Sequence, residues 1–417
     1  MNVQTQEEKD ARVWPWLSSN FAWLLLSLAF FGIAVGETYR YLLFIAALVG
    51  LFWFVRRPRP YLTAPAVRLL LMLFLCLWIP MLASMVDTQY LGRATSVAAR
   101  YIMYLLAGIA IVRLAQQAEF ENRLLAGFMA VMLFWTFDAV LQAITGHNLL
   151  GYETSGERLT GMFGSRPRVG IVLTLFSPIY FEAVRRLSVR FPWAWLLLLP
   201  FVAVVVLSGS RSAWMLFTFS TIAYLVYLYV TKALPPWRRW LMPVLAVVVL
   251  SGALVWQLDW LRYRIVAATG IFSMDYQTAD IATSKRLPAW ETAWNMFKDN
   301  PVNGVGPRSF GSAFRKYAPT ENTELFNQPH LLLAEIAAET GIIGLMGYVA
   351  FLAILIRHMW SIRMTRPTAI PWGIATLLVG FPLSAFLAFY AHFMSALLWM
   401  CLIAYAALAF REPVPPQ

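Results

Sequence analysis

The sequence predicts an all-α fold: a polytopic membrane protein of about twelve transmembrane helices, with one long extramembrane loop before the tenth. Three observations carry that expectation. Hydrophobic residues make up 60% of the chain and charged residues only 13%, about half the charged share of a soluble globular protein. The apolar residues fall into runs of about twenty, the length that crosses a bilayer as helix. Arginine and lysine gather in alternate short loops, the pattern that fixes orientation. With a mean hydropathy of +0.63, the chain reads as a membrane protein with no nucleic-acid partner.

The runs place spans near 18–35, 40–55, 66–86, 97–115, 122–144, 168–186, 192–208, 211–230, 239–257, 330–356, 369–388 and 390–410. A polar segment with Glu7, Glu8, Lys9 and Asp10 precedes the first run. No small-residue cleavage site follows that run, which is therefore expected to be a retained helix rather than a signal peptide. Arg56, Arg57, Arg59 and Arg68 cluster after span two, and Arg185, Arg186 and Arg190 after span six. Lys232, Arg238 and Arg239 follow span eight, and Arg357, Arg363 and Arg366 follow span ten. These loops share one side of an even-numbered bundle. The positive-inside rule makes that side cytoplasmic and puts both termini there. The chain then divides into nine spans over 1–257, an outer loop over 258–329, and three spans with a short tail over 330–417. Cys76 and Cys401 lie inside apolar runs and read as buried membrane thiols.

The outer side breaks the charge pattern. Its long loop carries Arg262, Arg264, Lys285, Arg286, Lys298, Arg308, Arg315 and Lys316, and the loop 145–169 adds Arg158, Arg166 and Arg168. Long loops escape the charge rule, so the topology stands while the outer face gains a cationic surface. The chain has four histidines. One of them, His330, stands where the long loop meets span ten, and its ordinary pKa suits proton transfer near neutral pH. At helical spacing His330, Ala334, Ala337, Gly341, Gly344 and Tyr348 share a small-residue stripe, which would turn His330 toward the protein interior. Glu335 and Glu339 would lie on the opposite face, bonding neighbouring helices. The competing reading of His330 is a helix-end histidine bonded to a loop.

Arg211 sits in the short turn Ser208-Gly-Ser-Arg211 between two long spans. Near hydrocarbon its guanidinium either meets an anion or snorkels to lipid headgroups. In Ser284-Lys285-Arg286-Leu-Pro-Ala-Trp290-Glu-Thr-Ala-Trp294-Asn-Met-Phe297, the residues Leu287, Trp290, Trp294 and Phe297 repeat at helical spacing. That predicts an interfacial amphipathic helix whose N-terminus, flanked by Lys285 and Arg286, favours an anion. The next segment, Asn300-Pro-Val-Asn-Gly304-Val-Gly306, reads as the turn that ends it. Asp138, within span five, is expected to partner a buried arginine. The outer face shows no Asp-x-Asp pair and no metal-ligand spacing. Arginine would therefore supply the positive charge in any reaction there, and no metal or cofactor is expected. Arginines, a histidine and an interfacial helix at one membrane surface point to an anionic lipid, best a lipid-linked pyrophosphate.

These segments, in this order, resemble the O-antigen ligase family, within the wider group that includes O-antigen polymerases and protein O-oligosaccharyltransferases. The matching features are the Ser-Gly-Ser-Arg211 turn and Arg158-Leu-Thr-Gly161-Met-Phe-Gly. To these add the stretch from Ser284-Lys-Arg286 through Asn300-Pro-Val-Asn-Gly-Val-Gly306, and His330 followed by Glu339-Thr-Gly341-Ile-Ile-Gly344. The resemblance implies a membrane-embedded glycosyltransferase of the C type with a long periplasmic loop containing interfacial helices. It implies transfer of O-antigen from undecaprenyl pyrophosphate to lipid A–core oligosaccharide at the periplasmic face of the bacterial inner membrane, metal-independent and inverting. His330 would activate the acceptor hydroxyl, Arg211 and Arg286 would bind pyrophosphate, and Arg158 would help. Arg166, Arg168, Lys285, Asp138 and Glu339 are supporting candidates. Gly164-Ser-Arg166-Pro-Arg168 departs from an Asn-Pro-Asn-like run of relatives, so the resemblance gives Arg166 and Arg168 no defined role. A polymerase or a protein oligosaccharyltransferase would use the same donor with another acceptor. The early stop at Pro416-Gln417 tilts the expectation toward ligase or polymerase. A lipid or solute transporter is the alternative of a different class, although polar features collected at one end fit it poorly. The ligase reading requires Arg211, Arg286 and His330, distant in sequence, to line one cavity.

Overall fold

A computed structural model describes residues 15–411 apart from 57–62, 87, 89, 118, 235–236, 271–272, 274 and 322. The expected roles of Arg57, Arg59, Asp87 and the polar N-terminal segment lie outside the described residues. Helices account for the whole architecture, and the only ladder pairing among the described residues is two isolated bridges in the loop 145–169. In chain order the helices are α1 (Pro15–Gly32), α2 (Tyr39–Arg56), α3 (Pro65–Ala83), α4 (Leu91–Leu114), α5 (Phe120–Thr145), α6 (Val169–Arg190), α7 (Leu198–Leu207), α8 (Arg211–Val230) and α9 (Trp237–Gln257). They continue with α10 (Asp259–Thr269), α11 (Tyr276–Ala282), α12 (Leu287–Asp299), α13 (Phe310–Tyr317), α14 (Leu332–Ile362), α15 (Ile370–Val379) and α16 (His392–Ala409).

Seven of these helices are long and apolar enough to cross a bilayer: α2, α3, α4, α5, α8, α14 and α16. An eighth crossing forms if α9 and α10, bent by 99° at their junction, count as one. Shorter apolar helices occupy Asn20–Gly32, Pro192–Leu207 and Pro367–Val379. Each segment expected to span contains helix, but seven or eight crossings meet the length and apolarity of a span among the described residues, against the twelve expected. The expected span 369–388 is not a continuous helix, however: α15 stops at Val379, and Gly380–Ala391 is an irregular strap. Gly380 at its end and Pro382 just beyond supply the break. The sixth expected span, α6, carries Glu182, Arg185 and Arg186, which hold each other and Glu121 at 2.7–2.9 Å.

The core sits around α16, whose residues from Phe393 to Ala409 are all buried. Trp399 packs against Phe74, Tyr101 and Tyr104, with ring centroids 5.9–6.2 Å apart. A second aromatic knot joins Phe30, Phe128, Phe176 and Trp372. Small residues let the backbones close in, as membrane helix packing requires. Gly50 lies against the Leu106 carbonyl, and Gly347 lies against the Cys76 carbonyl.

The tenth expected span differs from its sequence reading in two ways. The helix begins at Leu332, not His330, and it breaks at Gly341, where φ is 62° and ψ is −157°. His330 therefore belongs to the loop, and the small-residue stripe does not run on as one helical face. Gly341, Gly344 and Tyr348 of the stripe are buried, but before the break the buried residues of α14 are Leu332, Glu335, Ile336, Ala338, Glu339 and Thr340. The break has a physical cause: the Asn300–Gly306 turn is threaded into it. Val305 and Gly306 donate N–H to the carbonyls of Ala338 and Glu339, both at 2.9 Å. Ile342 and Ile343 donate to Pro301 and Val302 at 2.8 and 3.3 Å. Backbone bonds lost within the helix are made to the inserted turn instead.

Candidate active site

The outer loops are positioned by buried polar side chains on the spans beneath them. On α5, Asp138 accepts from the Leu149 N–H at 2.9 Å and from Asn148 Nδ2 at 3.4 Å. One turn later Gln142 Oε1 accepts from the N–H groups of Thr160 and Gly161 at 2.9 and 2.8 Å. The expectation that Asp138 pairs with an arginine is thus corrected. Its short side chain satisfies loop backbone and so fixes the loop that carries Arg158.

Arg158 reaches from that loop to the turn between α7 and α8, donating to the Ser208 and Gly209 carbonyls at 3.4 and 3.3 Å. Gly209 has φ +60°, and an added Cβ would press on Trp260. Arg264 of α10 donates to the same Gly209 carbonyl at 3.3 Å. Arg211 opens α8, capped by Ser210, whose Oγ accepts from Ala213 N–H. Its guanidinium donates to the Ala282 carbonyl at 2.5 Å and to Ser284 Oγ at 3.1 Å. Three outer segments, the 208–210 turn, α10 and the end of α11, are therefore joined through arginines.

A cavity of about 520 Å³ opens here, lined by Glu157, Arg211, Asp259, Trp260, Tyr263 and Arg264 among others. Arg286 and His330 do not line it. The expectation that Arg211, Arg286 and His330 line one cavity is therefore not met by this pocket; the link to Arg286 is electrostatic, since burial first, then the Arg211 charge, hold Arg286 below its ordinary pKa. Burial, followed by the charges of Arg264, Arg286 and Arg211, does the same to Arg158. Among the described residues none of Arg158, Arg211, Arg264 and Arg286 is in an ion pair. Four cations held together without a counter-ion are stable only with an anion or open solvent beside them.

His330 follows in this series. Its backbone is left-handed, with φ 54°, a region histidine tolerates better than most residues. Gln328 fixes the ring. Its Oε1 accepts from the Ala388 N–H at 2.6 Å, so its Nε2 is the group that faces His330 Nδ1 at 3.0 Å and the Phe386 carbonyl at 3.2 Å. Nδ1 is then the acceptor of the neutral ring, and Nε2 carries the proton. Burial, and then the positive charge of Arg286, push the His330 pKa down to about 4.

The remaining expected residues divide. Glu339 is buried, and its carboxylate accepts from the N–H groups of Arg308 and Phe310 at 2.6 and 3.1 Å. Glu335 accepts from those of Phe389 and Tyr390 at 2.9 and 3.4 Å. Both glutamates are buried and clamp loop backbone rather than bonding neighbouring helices as expected. Lys285 is exposed, and the anion position at the start of α12 is taken by Asp280, which accepts from the Leu287 N–H at 3.1 Å. On α12, Ala289, Thr292, Ala293 and Met296 form the buried face, while Trp294 lies exposed beside Phe297. Arg166 is exposed, and Arg168 stands 4.8 Å over the Phe393 ring. The structure does not join either one to the Arg211 group. Sequence reasoning missed Arg264 and Gln328. Arg264 follows Trp260 by one turn on α10, but that helix was invisible while 258–329 read as loop.

Residues 195–349 match the model of the O-antigen ligase family. Over that segment, less than half of its length, the chain is similar to the O-antigen ligase family. No curated protein matches it significantly. The matched segment holds Arg211, Arg264, Arg286, His330, both clamping glutamates and the Gly341 break, and excludes Arg158.

Proposed function

We propose that this protein is an O-antigen ligase of the inner membrane, a twelve-span glycosyltransferase of the C type with its site facing the periplasm. It transfers O-antigen polysaccharide from undecaprenyl pyrophosphate to a sugar hydroxyl of lipid A–core oligosaccharide. The observation that carries the proposal is the series Arg158–Arg264–Arg211–Arg286–His330: uncompensated cations that lead from a cavity to one neutral histidine.

The cavity at Arg211 and Arg264 receives the pyrophosphate, whose oxygens match the guanidinium fork. Arg286 sits between it and His330, where the bond to the glycan would lie. The acceptor oxygen attacks the anomeric carbon and gives its proton to His330 Nδ1, the ring's one basic nitrogen, as that atom gives up its bond from Gln328 Nε2. The bond from the anomeric carbon to the pyrophosphate oxygen breaks, and the lipid pyrophosphate leaves into the arginine cluster. One displacement inverts the anomeric centre, and arginine provides the charge stabilisation that a metal would otherwise supply.

A histidine with a pKa near 4 is a weak base, held there by burial and the Arg286 charge. A bound pyrophosphate neutralises Arg286 and adds negative charge, and both changes raise the His330 pKa toward the range useful for general-base catalysis. Donor binding thereby activates the base. Reconstitution with the lipid-linked glycan and each of three acceptors (lipid A–core, a second lipid-linked glycan, a serine-bearing peptide) tests the assignment. Transfer to lipid A–core, undiminished by a chelator, is expected. Transfer only to another acceptor would make the protein a polymerase or a protein oligosaccharyltransferase. Unimpaired transfer by His330→Ala would remove the base assignment.

A further inference from the structure

A second cationic group gathers at the end of the 380–391 strap, around Tyr390 and His392, and the proposed reaction does not use it. Its floor is Arg100, on α4. Arg100 is 8% exposed. Its one hydrogen bond among the described residues runs from an amine nitrogen to the Tyr390 carbonyl at 2.7 Å. Its Nε is buried without a partner, and no carboxylate pairs with it. A buried guanidinium left in that condition is costly. Around it Arg308 and Arg40 are half-buried and His392 is exposed. Arg100, Arg40 and Arg308 all act electrostatically on His392. Tyr104 ties the group to the strap's end, donating to the His392 carbonyl at 3.4 Å.

His392 is also the first residue of α16, whose N-terminus has no side-chain cap. The first N–H groups of that helix therefore face the same cations, a combination that favours an anion. The nearby carboxylates are already engaged. Glu37 pairs with Arg40. Glu335 and Glu339 direct their oxygens to four backbone N–H groups and act electrostatically on Arg308 at the rim, and neither pairs with Arg100. The strap links this recess to the first site, since Ala388 and Phe386 hold Gln328, and Gln328 holds His330.

We propose that Arg100, Arg40, Arg308 and His392 form a phosphate-binding subsite for the acceptor lipid, distinct from the donor arginines. The inference rests on the ligase reading for the identity of the lipid. Two anionic substrates need two cation sets, and the strap links the second set to the base. The recess takes a phosphate monoester carried by the acceptor saccharide, which anchors the acceptor while its hydroxyl reaches past the strap to His330.

The test uses the full-length protein in nanodiscs and lipid A–core before and after phosphatase treatment. The wild type should bind the phosphorylated form at least tenfold more tightly. Arg100→Gln and Arg308→Gln should lose that discrimination while binding of the undecaprenyl-pyrophosphate donor changes less than twofold. Arg308, at the rim, keeps the test decisive if Arg100→Gln fails to fold. Equal binding of both lipid forms by the wild type overturns the subsite, as does a variant that loses donor binding instead. Displacement of the lipid by millimolar inorganic phosphate would assign the recess to the free ion and overturn it too. If the wild type binds phosphorylated lipid through Arg308 but transfers no glycan, the ligase reading falls and the recess stands.

Discussion

His330 and Arg286 illustrate how one side chain sets the chemistry of another. Burial first, and then Arg286, hold the ring at a pKa of about 4, so the free protein keeps it neutral throughout the physiological range. Arg286→Gln removes the second cause and leaves the first. The His330 pKa should then rise from about 4 toward its ordinary 6.5 without reaching it. The acidic limb of kcat/KM reports the free enzyme, so that limb should move to higher pH. Donor affinity should fall by about 10- to 100-fold, the loss of a hydrogen bond to a charged group. An unmoved limb would detach His330 from the Arg286 field. Glu339 makes a different kind of prediction. Both of its oxygens accept backbone N–H groups, so Glu339→Gln turns an amide nitrogen against one of those donors. A loss of about 1–3 kcal/mol is expected, read as a lower denaturation midpoint. An unchanged midpoint would show that the carboxylate does not hold the Arg308 turn.

Interlocking elements decide where those residues stand. The Asn300–Gly306 turn is seated in the Gly341 break, and α12, with Arg286 at its head, packs on α14 directly above. Gly341→Ala would place a Cβ against the Val302 carbonyl in a backbone conformation reserved for glycine. The conformation alone costs about 1–3 kcal/mol, and the overlap adds to it, so the turn should be expelled. Hydrogen exchange over 300–310 should rise sharply; protection equal to wild type would refute the interlock. The sequence carried both halves of this device, Asn-Pro-Val-Asn-Gly-Val-Gly and Glu-Thr-Gly-Ile-Ile-Gly, as a turn and as a packing stripe. Hydrophobic period identifies helices one at a time and cannot show that one motif is inserted into another. The strap was hidden for a related reason. Its apolar residues met the length rule for a span, while Gly380 and Pro382 inside the run were the signals against continuous helix. Arg264 was lost at the 99° bend between α9 and α10, which no periodicity marks. The cations Arg158, Arg211 and Arg286 were legible because arginine beside turns at a membrane boundary is expensive by itself, whichever neighbours it finds.

On the scale of the whole molecule, the cations are sorted by end. The end of the bundle at the C-terminus of α6 pairs its charges. Glu182 is 2% exposed yet engaged by Arg185, Arg186 and the Tyr224 hydroxyl, and Glu121 binds Arg186 and the Thr368 hydroxyl. At the other end, Arg158, Arg211, Arg264, Arg286 and Arg100 have no carboxylate partner among the described residues. Five arginines without a carboxylate partner at that end, beside the paired Arg40 and Arg262, favour anions there, and lipid-linked phosphates are anions available at a membrane surface. By the positive-inside rule the paired end would face the cytoplasm, an expectation testable apart from catalysis. Glu291 on α12 and Ser361 near the end of α14 are both exposed and belong to opposite ends. Glu291→Cys should react with a membrane-impermeant maleimide added to cells whose outer membrane alone is permeabilised. Ser361→Cys should react only after the inner membrane is opened. Cys401 is buried and Cys76 partly so, which keeps the background low. Reversed labelling would turn the arginine clusters toward the cytoplasm, and the periplasmic reaction would have no site.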